Sequence, residues 1–95
     1  MFTLEDSAKA IAAAGVDISK ERFLLEDVRR GMDVELEHGS RFPELDVTGD
    51  DPVLTAKIAL AHLREFPDYY DRLATMEREA DAAWAVMDEA DLGIT

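Results

Sequence analysis

The stretch "PVLTAKIALAHLREF", Pro52 to Phe66, constrains the fold more than any other part of the chain. It opens on Asp51 and Pro52, an N-cap followed by a residue suited to the first helical position. It closes at Pro67, whose ring cannot continue the hydrogen-bond ladder. Between these ends Lys57 and Arg64 share a narrow polar strip and the helix is otherwise apolar nearly all round. Such a helix has to be surrounded, so the pattern predicts the central helix of a bundle.

Three further helices follow from punctuation and period. "TLED", Thr3 to Asp6, resembles a capping box and is followed by Leu4, Ala8 and Ile11 at helical spacing, with Gly15 as the stop. Ser19 is suited to cap a second helix running to His38, with Gly39 just beyond its end. Pro67, with Asp68 behind it, can start a fourth. There Tyr69, Leu73, Met76, Ala80, Ala83 and Met87 recur at steps of four and three, a stripe suited to the core or, on a second reading, to a heptad seam with another copy.

From Gly39 to Asp51 no apolar period is sustained, which predicts a long loop between the second and third helices, anchored by Phe42, Leu45 and Val47. No strand-like alternation or internal repeat is present, and residues 91–95 read as a frayed tail. The expectation is one all-α domain over residues 1–95, a small bundle of about four helices.

Composition narrows function by exclusion. With no cysteine there are no disulfides, thiolate nucleophiles or cysteine-ligated metals. The formal charge of −12 disfavours direct nucleic-acid binding; it reads first as solubility, and an acidic surface could also attract a basic partner or mimic nucleic acid in front of one. The N-terminal segment does not resemble a signal peptide and no stretch approaches a membrane-spanning length, so a soluble, cytoplasmic protein is expected. Phosphate-binding glycine loops, nucleophile elbows and Ser–His–Asp arrangements are not in evidence.

"VELEHG" places Glu35 three residues before His38, and "AHLREF" places His62 three before Glu65. In a chain with 22 acidic residues that spacing alone says little, and the face each residue occupies is the better test. With Val28 at zero on a helical wheel, Met32 lies near about +40° and Glu35 near about −20°, inside the apolar face. His38 falls at its edge near about −80°, and Glu37 lies near about 180°, among the solvated residues. On the third helix, with Leu54 at zero and Ile58 near about +40°, Glu65 comes at about +20° and His62 at about +80°.

A buried carboxylate without a partner costs several kcal/mol, so each inward glutamate needs a proton, a hydrogen bond, a cation or a metal. Two inward Glu–His pairs on facing helices suit zinc, manganese or ferrous iron, and Glu35, His38, His62 and Glu65 form the candidate ligand set. Should a reaction occur there, metal-assisted hydrolysis or iron chemistry are the classes such ligands allow. Tyr70, about 100° from the fourth-helix stripe, could reach the same site with its hydroxyl or sit as a partly exposed packing residue, and Asp68 could support the ligands. Against the metal stand simpler readings. His38 could cap the last carbonyls, Glu65 could turn outward before Pro67, or the four could form a cluster without metal.

"GMDVELEHG" followed by "VTGDDPVLTAKIALAHLREFPDYYDRLATME" resembles a small family of uncharacterised bacterial and phage proteins, a domain of unknown function carrying a Glu-x-Glu-His segment and then "IALAHLxEFPDYYxxL". The similarity runs from about Phe2 to about Ala80. The resemblance implies that Glu35, Glu37, His38, His62, Glu65, Asp68, Tyr69 and Tyr70 stand at motif positions, which adds Glu37 to the candidates. Where a common family form has glycine in "TGKIALAHL", this chain has Ala56. Two functions are expected from these residues: a metal-binding protein, or an acidic helical module or inhibitor for a basic partner with the Glu–His cluster purely structural. A homodimer is compatible with either.

Overall fold

The structure, a computed structural model, describes the backbone of residues 1–94 and the side chains of residues 1–37 and 41–83. The chain forms four helices, α1 (Leu4–Ala13), α2 (Leu25–Arg41), α3 (Pro52–Glu65) and α4 (Tyr69–Ile94), and no strand among the described residues. None of the described helices is long and apolar enough to cross a membrane.

Local chemistry sets the ends of α1 and α3 as the sequence requires. Thr3 and Asp6 exchange side-chain and backbone bonds in a reciprocal capping box, with aspartate in the role more often given to glutamate. Gly15, at φ +78°, takes the left-handed position just past the helix. Asp51 accepts from the Val53 and Leu54 amides, and α3 stops at Phe66 before Pro67.

The second helix differs from expectation at both ends. Ser19 does not cap it; Asp17 caps a short 3₁₀ turn, Ile18–Lys20, by accepting from the Ser19 amide and hydroxyl. The break lets Phe23 drop into the core before α2 starts, with Asp27 accepting from the Leu24 amide. At the far end α2 continues through Gly39 to Arg41, since glycine stops a helix only where the chain takes a left-handed turn. The expected long loop is therefore a short, structured connection with a 3₁₀ turn at Pro43–Leu45. It is folded by Asp46, whose Oδ1 accepts from the Thr48 amide and hydroxyl and the Gly49 amide. Those bonds, the Gly49 amide first, hold the Asp46 carboxyl below its ordinary value. Thr48 is the buried residue here, whereas the expected anchors Phe42, Leu45 and Val47 are exposed.

The core joins Ala10 and Ile11 of α1, Phe23, Val28 and Met32 of α2 and its approach, Ala56, Ala59, Leu60 and Leu63 of α3, and Tyr70 of α4. The central place of α3 is as expected, but its inward face is not. Leu54 is 43% exposed and Leu63 1%, so the wheel reading had the helix turned by about half a circle. A helix apolar on nearly every side gives no polar face to set its phase, and the alanines won because they allow α2 and α3 to approach closely. Gly31 of α2 meets that approach: a Cβ there would fall on the Tyr70 ring, 2.7 Å from Cζ, and 3.0 Å from the Ala59 Cβ.

α4 starts at Tyr69, not Pro67, with the Asp68 carbonyl accepting from the Arg72 amide. Beyond Leu73 the described part of its stripe is not core. Tyr69 and Leu73 are partly buried, Met76 is 57% exposed, Ala80 and Ala83 are exposed, and the Met87 side chain lies outside the described residues. Among the described residues, α4 meets the bundle through its first turns, where Arg30 pairs with Asp71 and donates to the Tyr70 carbonyl. The described residues beyond them, Thr75 to Ala83, are exposed, in keeping with a long axis of 55 Å against 27 and 20 Å. The expected frayed tail at 91–95 falls on residues whose side chains, and for Thr95 the backbone, lie outside those described.

Candidate functional site

Among the described residues, Glu35 is the centre of the place where candidate residues meet. Its position inside the apolar face of α2 brings it against α3 and α4, and its side chain is 12% exposed. Oε1 accepts a hydrogen bond of 3.0 Å from the Tyr70 hydroxyl and lies 3.5 Å from His62 Nε2. The hydroxyl answers the need of an inward carboxylate for a donor.

Two tyrosines fix the imidazole. The His62 ring stacks on Tyr69, centroids 4.2 Å apart and planes 3° from parallel, while Tyr70 stands edge-on to both rings. This comes from the local sequence: Pro67 turns the chain at the end of α3, so the opening Tyr69–Tyr70 of α4 folds back beside His62, one turn before that end.

Burial pushes the Tyr70 hydroxyl above its ordinary value of 10.0, with the Glu35 charge and their hydrogen bond adding. Tyr69 is raised by burial too, with Glu35, Glu65 and Glu77 contributing in that order. The folded state thus holds the Tyr70 proton more tightly than the unfolded chain. That stabilisation is intact below the ordinary tyrosine value and is lost as pH rises past it toward the raised folded value. Thermal melts at neutral and alkaline pH should show the wild type losing stability above the ordinary tyrosine range, with a smaller loss in Tyr70→Phe. Equal alkaline losses in both would contradict the assignment.

The remaining candidates are placed as follows. Glu65 is exposed rather than inward as expected, because the true phase of α3 carries it away from the core. Glu37 is exposed, as its wheel position predicted. Asp68 is exposed and pairs with Arg72, whose hydrogen bond holds its carboxyl below the ordinary value. It is not part of the cluster. The His38 side chain lies outside the described residues. Among the described residues no group of three or more histidines and acids is arranged to hold a metal ion.

On a further side of Glu35 lies a cleft of about 240 Å³, also lined by Phe42, Leu45, Asp46, Val47, Thr48 and Ile58. The connection between α2 and α3 supplies most of this lining, and α3 adds Ile58. Two carboxylates, Glu35 and Asp46, stand among apolar side chains. Sequence reasoning missed this cleft and the Gly31–Tyr70 approach. Signals for both were present: "DVTG" is an Asx-turn pattern, and a glycine inside a helix marks a close approach as often as a weak point.

Acids outnumber bases 22 to 10, and several of the bases are already paired. Arg29 pairs with Glu26 and Asp33, Arg30 with Asp71, Arg64 with Glu21 and Arg72 with Asp68.

Residues 7–79 match the family model described as "Protein of unknown function (DUF5661)". No curated protein and no solved structure matches the chain.

Proposed function

We propose, from the premise that the chain belongs to the family of unknown function DUF5661, that it is an acidic binding module for a basic protein partner, and that the cleft at Glu35 seats a Lys or Arg side chain. The observation that carries this reading is the dual position of Glu35, which lines the cleft while Tyr70 holds its Oε1. A carboxylate already fixed by a neighbour loses little freedom when a cation arrives. The Asp46 carboxylate adds negative charge, and Phe42, Leu45, Val47 and Ile58 suit the apolar stem that Lys and Arg carry behind their charge. The net charge of −12 adds long-range attraction for a basic surface.

A hydrogen bond to a charged group contributes about 1.5–3 kcal/mol, so loss of the Glu35 charge should weaken binding by roughly 10-fold or more. The test is fluorescence anisotropy with a labelled peptide alternating Lys or Arg with apolar residues. Binding should weaken with added salt, weaken roughly 10-fold in Glu35→Gln, and hold in Glu65→Gln, which removes an equal charge outside the cleft. Peptide affinity unchanged by Glu35→Gln would overturn the reading.

A second reading is favoured by the 3.5 Å approach of Glu35 Oε1 to His62 Nε2. In it a zinc, manganese or iron ion sits between these groups, with His38, three residues along α2 from Glu35, as a third donor. Metal content by mass spectrometry on tag-free protein, compared with His38→Ala combined with His62→Ala, decides it. Near-stoichiometric metal lost in the double variant supports the ion. Metal-free protein after incubation with all three ions, and peptide binding indifferent to a chelator, leaves the partner-binding reading alone.

A further inference from the structure

We propose that the cleft at Glu35 selects lysine over arginine, because each of its two carboxylates offers a ligand one oxygen rather than both. This rests on the reading of the cleft as a seat for a basic side chain, and it names which basic side chain is taken.

The hydrogen bonds already made at the cleft divide each carboxylate. Glu35 Oε1 accepts from the Tyr70 hydroxyl at 3.0 Å and has His62 Nε2 at 3.5 Å. Asp46 Oδ1 accepts from the Thr48 amide and hydroxyl, each at 3.1 Å, and from the Gly49 amide at 3.0 Å. A carboxylate oxygen has about two lone-pair sites, so Oδ1 is fully used and Oε1 has little left to give. Tyr70 and Thr48, which supply these donors, are both buried, so neither swings aside cheaply. Among the described residues Glu35 Oε2 and Asp46 Oδ2 accept no hydrogen bond. No buried side-chain oxygen or nitrogen among them lacks a partner, so these two oxygens are open to solvent. The bonds at Oδ1 also hold the Asp46 carboxyl below its ordinary value, so it meets a ligand as an anion.

The two basic side chains ask for different things. A guanidinium gains most from two parallel N–H bonds to both oxygens of one carboxylate, a geometry that the bonds at Oε1 and Oδ1 obstruct. An ammonium carries three donors that diverge from one nitrogen, so single oxygens on separate groups satisfy it. Glu35 and Asp46 line one cleft of about 240 Å³, where Phe42, Leu45, Val47 and Ile58 suit the hydrocarbon stem behind the ammonium. Phe42, Leu45 and Val47 are exposed, which gives the residues flanking a lysine apolar surface to rest on. The ligand is therefore a lysine within a protein segment rather than a free amine.

Fluorescence anisotropy on the full chain tests the selectivity with three peptides of one apolar frame, differing in a central lysine, arginine or trimethyllysine. Lysine should bind roughly tenfold tighter than arginine, the equivalent of one charge-assisted hydrogen bond. Trimethyllysine keeps the charge and the stem but has no donor, and should also bind roughly tenfold more weakly than lysine. Tyr70→Phe removes the donor at Oε1 and returns a whole carboxylate to the ligand, so arginine should come within roughly threefold of lysine. A merely structural effect of that variant would weaken both peptides alike and leave their ratio unmoved. The comparisons made on the wild type do not depend on the variant folding.

Equal binding of the lysine and arginine peptides, each weakened by Glu35→Gln, would overturn the selectivity and leave the cleft as a seat for either cation. Trimethyllysine bound as tightly as lysine, or a ratio unchanged in folded Tyr70→Phe, would overturn the cause assigned to it. Binding of every peptide indifferent to Glu35→Gln would overturn the seat and the selectivity together.

Discussion

Gly31→Ala should destabilise the bundle by about 1–3 kcal/mol, although alanine is the better helix former by about 1 kcal/mol. The added methyl would fall on the Tyr70 ring and press on Ala59, where two helices and the opening of a third are already closely packed. Tyr70 cannot give way cheaply, because it is 3% exposed and its hydroxyl is committed to Glu35. Urea unfolding of the single variants and of Gly31→Ala with Tyr70→Leu measures the coupling. In the Tyr70→Leu background the penalty should largely vanish, leaving the helix-propensity gain. A neutral or stabilising Gly31→Ala in the wild type would contradict the packing described.

The next largest effect separates two leucines of one helix. Leu63→Ala should cost about 2–5 kcal/mol, the range for a fully buried leucine, a large fraction of the stability of a small domain. Leu54→Ala should cost under about 1 kcal/mol, since much of its side chain already meets water. Equal losses, or the reverse order, would restore the helix phase in which Glu65 points inward.

That comparison also shows where the sequence was readable. On α2 the polar face carries Glu26, Arg30 and Glu37, so the opposite face was fixed and the inward position of Glu35 could be read from spacing. α3 has no such contrast. Its large residues Leu54 and Ile58 suggested one face, while the packing used Ala56, Ala59, Leu60 and Leu63. The phase error carried Glu65 from the candidate site to the surface. Capping was legible at Thr3 and Asp51 because a few local bonds decide it, whereas Ser19 lost its role to the tertiary demand of Phe23 for burial. On α4 the regular stripe was visible, but periodicity does not say whether a core or another helix covers it. Tyr70, off the stripe, is the residue buried.

Within the site, Glu35, His62 and Tyr70 were each nominated by spacing and are brought together. Of the cleft beside them only the Asx turn at Asp46 was legible, because the shape of the cleft depends on how the α2–α3 connection folds around that residue. That dependence gives the cleft its chemistry, since the same turn supplies the second carboxylate and the apolar rim.

The measurement closest to the central claim is a backbone amide NMR titration of isotopically labelled protein with the Lys- and Arg-containing peptide used for anisotropy. Saturable shifts centred on Glu35, Asp46, Thr48 and Ile58, absent in Glu35→Gln, are the predicted result. Shifts spread evenly over the acidic surface, or confined to α4 with the cleft silent, would contradict a side chain seated at Glu35.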